Sequence, residues 1–150
     1  MKHFTISELL KSDTALKHGL WNGAPKEAEE NLRSLVEQVL DPLREQYGKP
    51  IRVTSGYRCP KLNNLVGGAP NSQHMRGEAA DIVAYSPALI AGKDPQSPNW
   101  EENLKLGRLI EALGKFDQLI YEQCDRKGNP RWIHVSYKPN GWNRKQVLTT

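Results

Sequence analysis

The stretch SQHMRGEAADI, from Ser72 to Ile82, constrains the fold more than any other in this 150-residue chain. A polar segment carrying a histidine passes through a glycine and two alanines to an aspartate, and then directly into an apolar run. On a straight strand positions 74 and 81 have opposite parity, so their side chains point to opposite faces. Gly77 lifts that restriction, because it permits the sharp turn that folds His74 back beside Asp81. Ala79 and Ala80 are small enough for the two backbones to pack closely. On these residues alone two readings stand. His74 is a surface histidine and Asp81 a cap where a loop enters a strand, or the two converge on a metal ion.

The rest of the chain supplies an α+β frame. Thr5 to Glu8 (TISE) has the form of a capping box, in which an N-cap hydroxyl and a glutamate three residues on satisfy free backbone amides. A short helix is predicted to follow and to end near Gly19. Between Glu27 and Tyr47, Leu32, Leu35, Val36, Val39, Leu40 and Leu43 fall at helical spacing along one buried stripe. Pro42 should kink this helix and Gly48 should end it. The β-branched, alternating run Ile51 to Arg58 reads as a strand. Pro60 suits the first turn of a short helix stopped by Gly67 and Gly68. Asp81 to Tyr85 reads as a second strand. The segment from Ser86 to Asn99, with its prolines, reads as a loop, and Ser97-Pro98 as the start of a helix running to Gly114. FDQLIYEQ and RWIHVSY are two strands around DRKGNP, a hairpin signal. Helices followed by a small sheet with one intervening helix make an α+β fold whose sequential strands are mostly antiparallel. No repeat or long linker divides the chain, so residues 1–150 are read as one domain.

Composition narrows the function classes. A hydrophobic fraction of 37% and mean hydropathy of -0.68 describe a water-soluble chain. No run approaches the roughly 18 apolar residues of a membrane span. The N-terminal MKHFTISELLKSD lacks the apolar core and cleavage site of a secretory signal, so synthesis in the cytoplasm is expected. Cys59 and Cys124 are too few and too far apart for a metal knuckle or redox pair and are read as reduced. A net charge of +4 favours polyanionic surroundings such as an anionic cell wall or nucleic acid. Lys and Arg are scattered rather than striped, however, so no nucleic-acid partner is expected.

Of the four histidines, His3 and His18 lie beside lysines in the N-terminal helical region and read as solvated residues. His134 lies within a strand whose alternation sends Ile133, Val135 and Tyr137 to one face and Trp132, His134 and Ser136 to the other. Two imidazoles and one carboxylate form a three-ligand set that leaves a fourth tetrahedral position for water, the pattern of catalytic zinc. A general base is then needed, and the hairpin offers one. A loop centred on Gly128 puts Glu122 opposite His134 on the same face, whereas a two-residue turn at Gly128-Asn129 would send it to the other. Without a metal, Glu122 is an ordinary surface strand residue.

With these residues in place, the chain resembles the zinc D-alanyl-D-alanine carboxypeptidases. That group also includes phage cell-wall endopeptidases, the dipeptidases of vancomycin resistance and the zinc-bearing fold of hedgehog signalling domains. SGYRCPKLN, SQHMRGEAADI and WIHVSY carry the resemblance, in that order. The pattern Ser-x-His-x-x-Gly-x-Ala-x-Asp is matched by Ser72, His74, Gly77, Ala79 and Asp81. The similarity runs from about Phe4 to Tyr137 and leaves no separate wall-binding domain.

The resemblance implies that His74, Asp81 and His134 bind zinc and that Arg58 positions substrate and stabilises the oxyanion. It also implies that Ser72 lies close to the bound peptide. Trp132, on the face of His134, lines a peptide groove or belongs to the core. Several members carry the catalytic acid three residues before the last histidine, where this chain has Arg131. Others have Tyr-Glu on the preceding strand, matched by Tyr121 and Glu122, which makes Glu122 the expected base and Asp125 the reserve. The implied activity is zinc-dependent hydrolysis of D-alanine-containing bonds in peptidoglycan stem peptides, by a monomer without membrane insertion. The absent signal and basic charge suit a phage-type lytic enzyme. The rival is a zinc-containing binding module of the same fold without hydrolysis.

Overall fold

The computed structural model describes residues 1–85 and 99–150. The expected loop and the Ser97-Pro98 helix start fall wholly or mostly outside the described residues. Helices α1 (Ile6–Leu10), α2 (Asp13–Lys17), α3 (Lys26–Leu35) and α4 (Asp41–Tyr47) come first. Strand β1 (Ile51–Ser55), helix α5 (Pro60–Leu65), a 3-10 turn (Gln73–Arg76) and strand β2 (Ala79–Ala84) follow. The chain ends with α6 (Trp100–Leu113) and strands β3 (Gln118–Glu122), β4 (Trp132–Ser136) and β5 (Gln146–Thr149).

Capping explains the N-terminal breaks. The Thr5 hydroxyl accepts from the Glu8 amide at 3.2 Å, so the cap forms. The helix stops at Leu10 because Ser12 begins a second one, its hydroxyl accepting from Ala15 N at 3.1 Å. One expected helix is therefore two. In the long helical stretch Pro42 does not produce a simple kink. The turn Val36–Leu40 widens to π geometry, with Asp41 N donating to Val36 O five residues back. Proline has no amide hydrogen and its ring crowds the carbonyl four residues earlier, and the wider turn accommodates both. Leu32, Leu35, Val36, Val39, Leu40 and Leu43 are all buried.

The strands form one sheet in the order β1-β2-β4-β3-β5, antiparallel except for β3 with β5. Its two faces have opposite characters. Ala80 pairs with Val135 and Ile82 with Ile133 across β2 and β4. Leu119 pairs with Val135 and Tyr121 with Ile133 across β3 and β4. All of these are buried in one core with Leu106 and Ile110 of α6 and the stripe of α3 and α4. The alternate positions, among them Asp81, Ile120, Glu122, Trp132 and His134, occupy the other face.

The β3–β4 register differs from the expected one. Ile120 opposes His134, and Glu122 opposes Trp132. These pairs centre the loop on Lys127 rather than Gly128, and Arg131 N closes it by donating to Glu122 O at 2.8 Å. A two-residue slip preserves side-chain parity, and Glu122 stays on the face of His134. Fully buried Asn103 pins this hairpin to the sheet. It accepts from Ala84 N and donates to the carbonyls of Pro130 and Arg131. Both cysteines are free. Among the described residues, no helix is long and apolar enough to cross a membrane.

Candidate metal centre and cleft

His74, Asp81 and His134 converge, each offering one ligand atom within 4.8 Å of the others. His134 and Asp81 are cross-strand partners on β4 and β2, with His134 Nδ1 3.0 Å from Asp81 Oδ1. His74 arrives from the 3-10 turn, its Nε2 3.3 Å from the same oxygen. Gly77 (φ +72) provides the reversal, and the space beside it is so tight that a Cβ there would lie 2.1 Å from Ala28 O of α3. A methyl group at Gly56 would likewise meet Leu9 O of α1 at 2.2 Å. Backbone of the N-terminal helices thus bears on the metal turn at Gly77 and on Gly56, whose carbonyl holds the His74 ring.

The donor set fits a zinc ion. With Zn–N near 2.0–2.1 Å, the edge of a tetrahedron is about 3.3 Å, which the two contacts to Asp81 Oδ1 approach. His74 Nδ1 lies 2.7 Å from Gly56 O, and a carbonyl only accepts. Nδ1 therefore carries the hydrogen, and Nε2 presents its lone pair to the centre. Burial pushes the Asp81 carboxyl up, but the His74 and His134 imidazoles more than offset this and hold it well below the ordinary carboxylate range. His3 and His18 stay apart from this centre. His3 is exposed, with Nε2 3.8 Å from Glu45, and His18 is exposed too.

The three donors sit in a cleft of about 560 Å³ that Arg58, Ser72, Glu122 and Trp132 also line. Arg58 Nη2 lies 3.4 Å from Asp81 Oδ2, and its Nε donates to Ser55 Oγ at 3.1 Å. The Ser72 hydroxyl caps the 3-10 turn by accepting from His74 N at 3.2 Å. Glu122 is half-buried and accepts from the Thr150 hydroxyl at 3.2 Å through Oε2. Asp125 is committed elsewhere, its carboxylate accepting from Lys127 N and Asn129 N within the hairpin loop. Arg131 is exposed. Sequence reading singled out neither Gln118 nor Arg144, which also border the cleft. Arg144 follows a loop with no motif, and only its placement beside β3 brings it here.

The profile of the peptidase M15 family matches residues 2–89, a span that contains Arg58, Ser72, His74 and Asp81. The chain belongs to the peptidase M15 family. Over 91 residues, 59% of this chain, it is 37% identical to a zinc D-Ala-D-Ala carboxypeptidase of Streptomyces albus G. That match covers 34% of the Streptomyces protein, so the chain spans about a third of that relative's length. A crystal structure of the L-Ala D-Glu endopeptidase ChiX of Serratia marcescens is similar with a TM-score of 0.46 at 16% identity. The similarity covers 75% of this chain and 87% of that one.

Proposed function

We propose that this chain is a single-domain zinc peptidase that hydrolyses D-alanine-containing peptide bonds of peptidoglycan. The observation that carries the reading is the convergence of His74 Nε2, Asp81 Oδ1 and His134 Nδ1 at the bottom of a cleft also lined by a carboxylate and a guanidinium. Those three atoms would hold the zinc. When bound, the ion supplies Lewis-acid polarisation of the scissile carbonyl and a water of lowered pKa.

The remaining steps fall to the protein's own side chains. Glu122, one strand over from His134 on the same face, takes the proton of the attacking water and passes it to the leaving amine. Arg58, beside Asp81, holds the negative charge that develops on the carbonyl oxygen. Ser72 and Trp132 border the peptide, Ser72 through the turn it caps and Trp132 as the cross-strand neighbour of Glu122.

The net charge of +4 suits an anionic wall and supports the finer reading of a phage-type lytic enzyme. Incubation with stem pentapeptides and cross-linked dimers, read by mass spectrometry, tests the activity and separates carboxypeptidase from endopeptidase products. Release of peptides from purified sacculi tests the lytic role. A protein that binds zinc yet yields neither product would leave a non-catalytic zinc-binding module as the better account.

A further inference from the structure

The cleft contains a second guanidinium, held quite differently from Arg58. Asp117, just before β3, is fully buried. Its Oδ1 accepts from Arg144 N at 2.9 Å and Nε at 3.1 Å, and its Oδ2 from Arg144 Nη2 at 2.8 Å. Gln73, the neighbour of His74, donates to the same carboxylate at 3.1 Å, and Lys138 Nζ lies 3.8 Å away. Two cations therefore surround one carboxylate. Such a bidentate pair fixes the plane of the guanidinium. Nη1 has no hydrogen-bond partner among the described residues, and the Arg144 side chain is 43% exposed where it borders the cleft.

Position along β3 separates the roles. Gln118, Ile120 and Glu122 step along the cleft face at roughly 6.7 Å per pair of residues. His134 opposes Ile120, so the metal donors lie between the Glu122 end and the Gln118 end. Gln118 pairs with Gln146 of β5, which places Arg144 at the end away from Glu122. Arg58 turns toward Ser55, Asn63 and Asp81, close to where carbonyl charge develops. A carboxylate one or more residues from the scissile bond needs a different cation.

We propose that Arg144, oriented by Asp117, binds a carboxylate of the substrate peptide on the side of the scissile bond remote from Glu122. The inference rests on the peptidase reading and assigns it a specificity-determining residue. A lysine-type stem pentapeptide carries two candidate carboxylates, one on its D-glutamyl residue and one at its C-terminus.

The test uses three forms of that peptide: unmodified, amidated at the glutamyl carboxylate, and amidated at the C-terminus. Amidation of one carboxylate should raise the KM of the wild-type enzyme about tenfold to a hundredfold, the loss expected for a hydrogen bond between charged groups. In Arg144→Gln that amidation should have no effect, while zinc content and kcat stay close to wild type. Arg144→Lys, which can still pair with Asp117, should keep part of the discrimination. The carboxylate whose effect disappears in Arg144→Gln is the one bound.

Wild-type protein that treats all three peptides alike overturns the proposal however the variants fold. So does discrimination that survives intact in Arg144→Gln. Either result leaves the peptidase reading standing as long as the unmodified peptide is cleaved. If no form is cleaved, cross-linked dimers decide the peptidase reading, which fails if they too stay intact, and calorimetric affinities of wild type and Arg144→Gln for the three forms decide on Arg144 separately. A wild-type preference lost in the variant supports the proposal, and equal or undetectable binding of all forms overturns it.

Discussion

The metal centre and the Glu122 end of the cleft are built to different standards of rigidity. At the metal centre, His74 is locked by a hydrogen bond to Gly56 O, and Asp81 is flanked by two imidazoles and a guanidinium. Helix backbone presses on the turn at Gly77 and on Gly56. At its own end Glu122 is half-buried, and among the described residues its side chain has one hydrogen bond, to Thr150. The contrast matches the two tasks. Ligand atoms must hold a tetrahedron to within tenths of an ångström, whereas a base that collects a proton from one atom and delivers it to another needs room to swing. The metal frame should therefore be preorganised and brittle, and the base adaptable.

The largest test of that contrast is at the metal. His74→Ala or Asp81→Ala should abolish both zinc binding and hydrolysis, read by elemental analysis and product formation. Removing zinc from the wild type with a chelator should abolish hydrolysis but preserve the far-UV circular dichroism spectrum, with activity restored by added zinc. Collapse of the spectrum on chelation would show that the metal, not the packing, builds the frame. Glu122→Gln should retain stoichiometric zinc and lose about 10²- to 10⁴-fold in kcat, the usual contribution of a positioned acid–base group. Unchanged kcat would remove Glu122 from the chemistry and favour a module that only binds.

Smaller effects refine the comparison. Gly77→Ala forces a side chain into left-handed backbone against Ala28 O, which should cost about 2–4 kcal/mol. That would lower Tm by roughly 5–15 °C in a chain of this size and weaken zinc binding with it. For Asp117, burial raises the carboxyl pKa, but hydrogen bonds from Arg144 outweigh it and bring it down to about 2. A depressed carboxylate contributes stability that is present above its unfolded pKa and lost as pH falls through the folded one. Acid titration of Tm should thus show a loss between about pH 4 and pH 2 that Asp117→Asn lacks. Thr150→Val should be the mildest, changing kcat by no more than about threefold, since one exposed hydrogen bond is worth on the order of 1 kcal/mol.

What the sequence disclosed and what it concealed divide along similar lines. The buried helical stripe, the strands at Ile51 and Asp81 and the hairpin were legible because each has an apolar period or a turn residue that only one backbone shape satisfies. The histidine–aspartate pair was legible through Gly77, the residue that lets opposite parities meet. The strand Gln146–Thr149 was missed because all four residues are exposed, so it has no buried face to impose alternation. The hairpin register slipped because Gly128, although at φ +83, sits one residue past the loop centre. Asp125, which organises that loop with two backbone amides, gave no signal of doing so. The π turn before Pro42 was readable as a disturbance but not as its particular form. Arg144 was invisible because its partner, Asp117, lies 27 positions away.

The closeness of Gly56 to Leu9 and of Gly77 to Ala28 bears on how the molecule could be shortened. A fragment beginning at Ile51 would keep every candidate ligand, the base and both arginines. It would nevertheless lose the backbone that meets the His74 turn at Gly77 and the backbone that meets Gly56, whose carbonyl holds the His74 ring. Such a fragment should bind zinc loosely or not at all, although no ligand had been deleted. The first fifty residues contribute no ligand to the centre, yet they set the position of one.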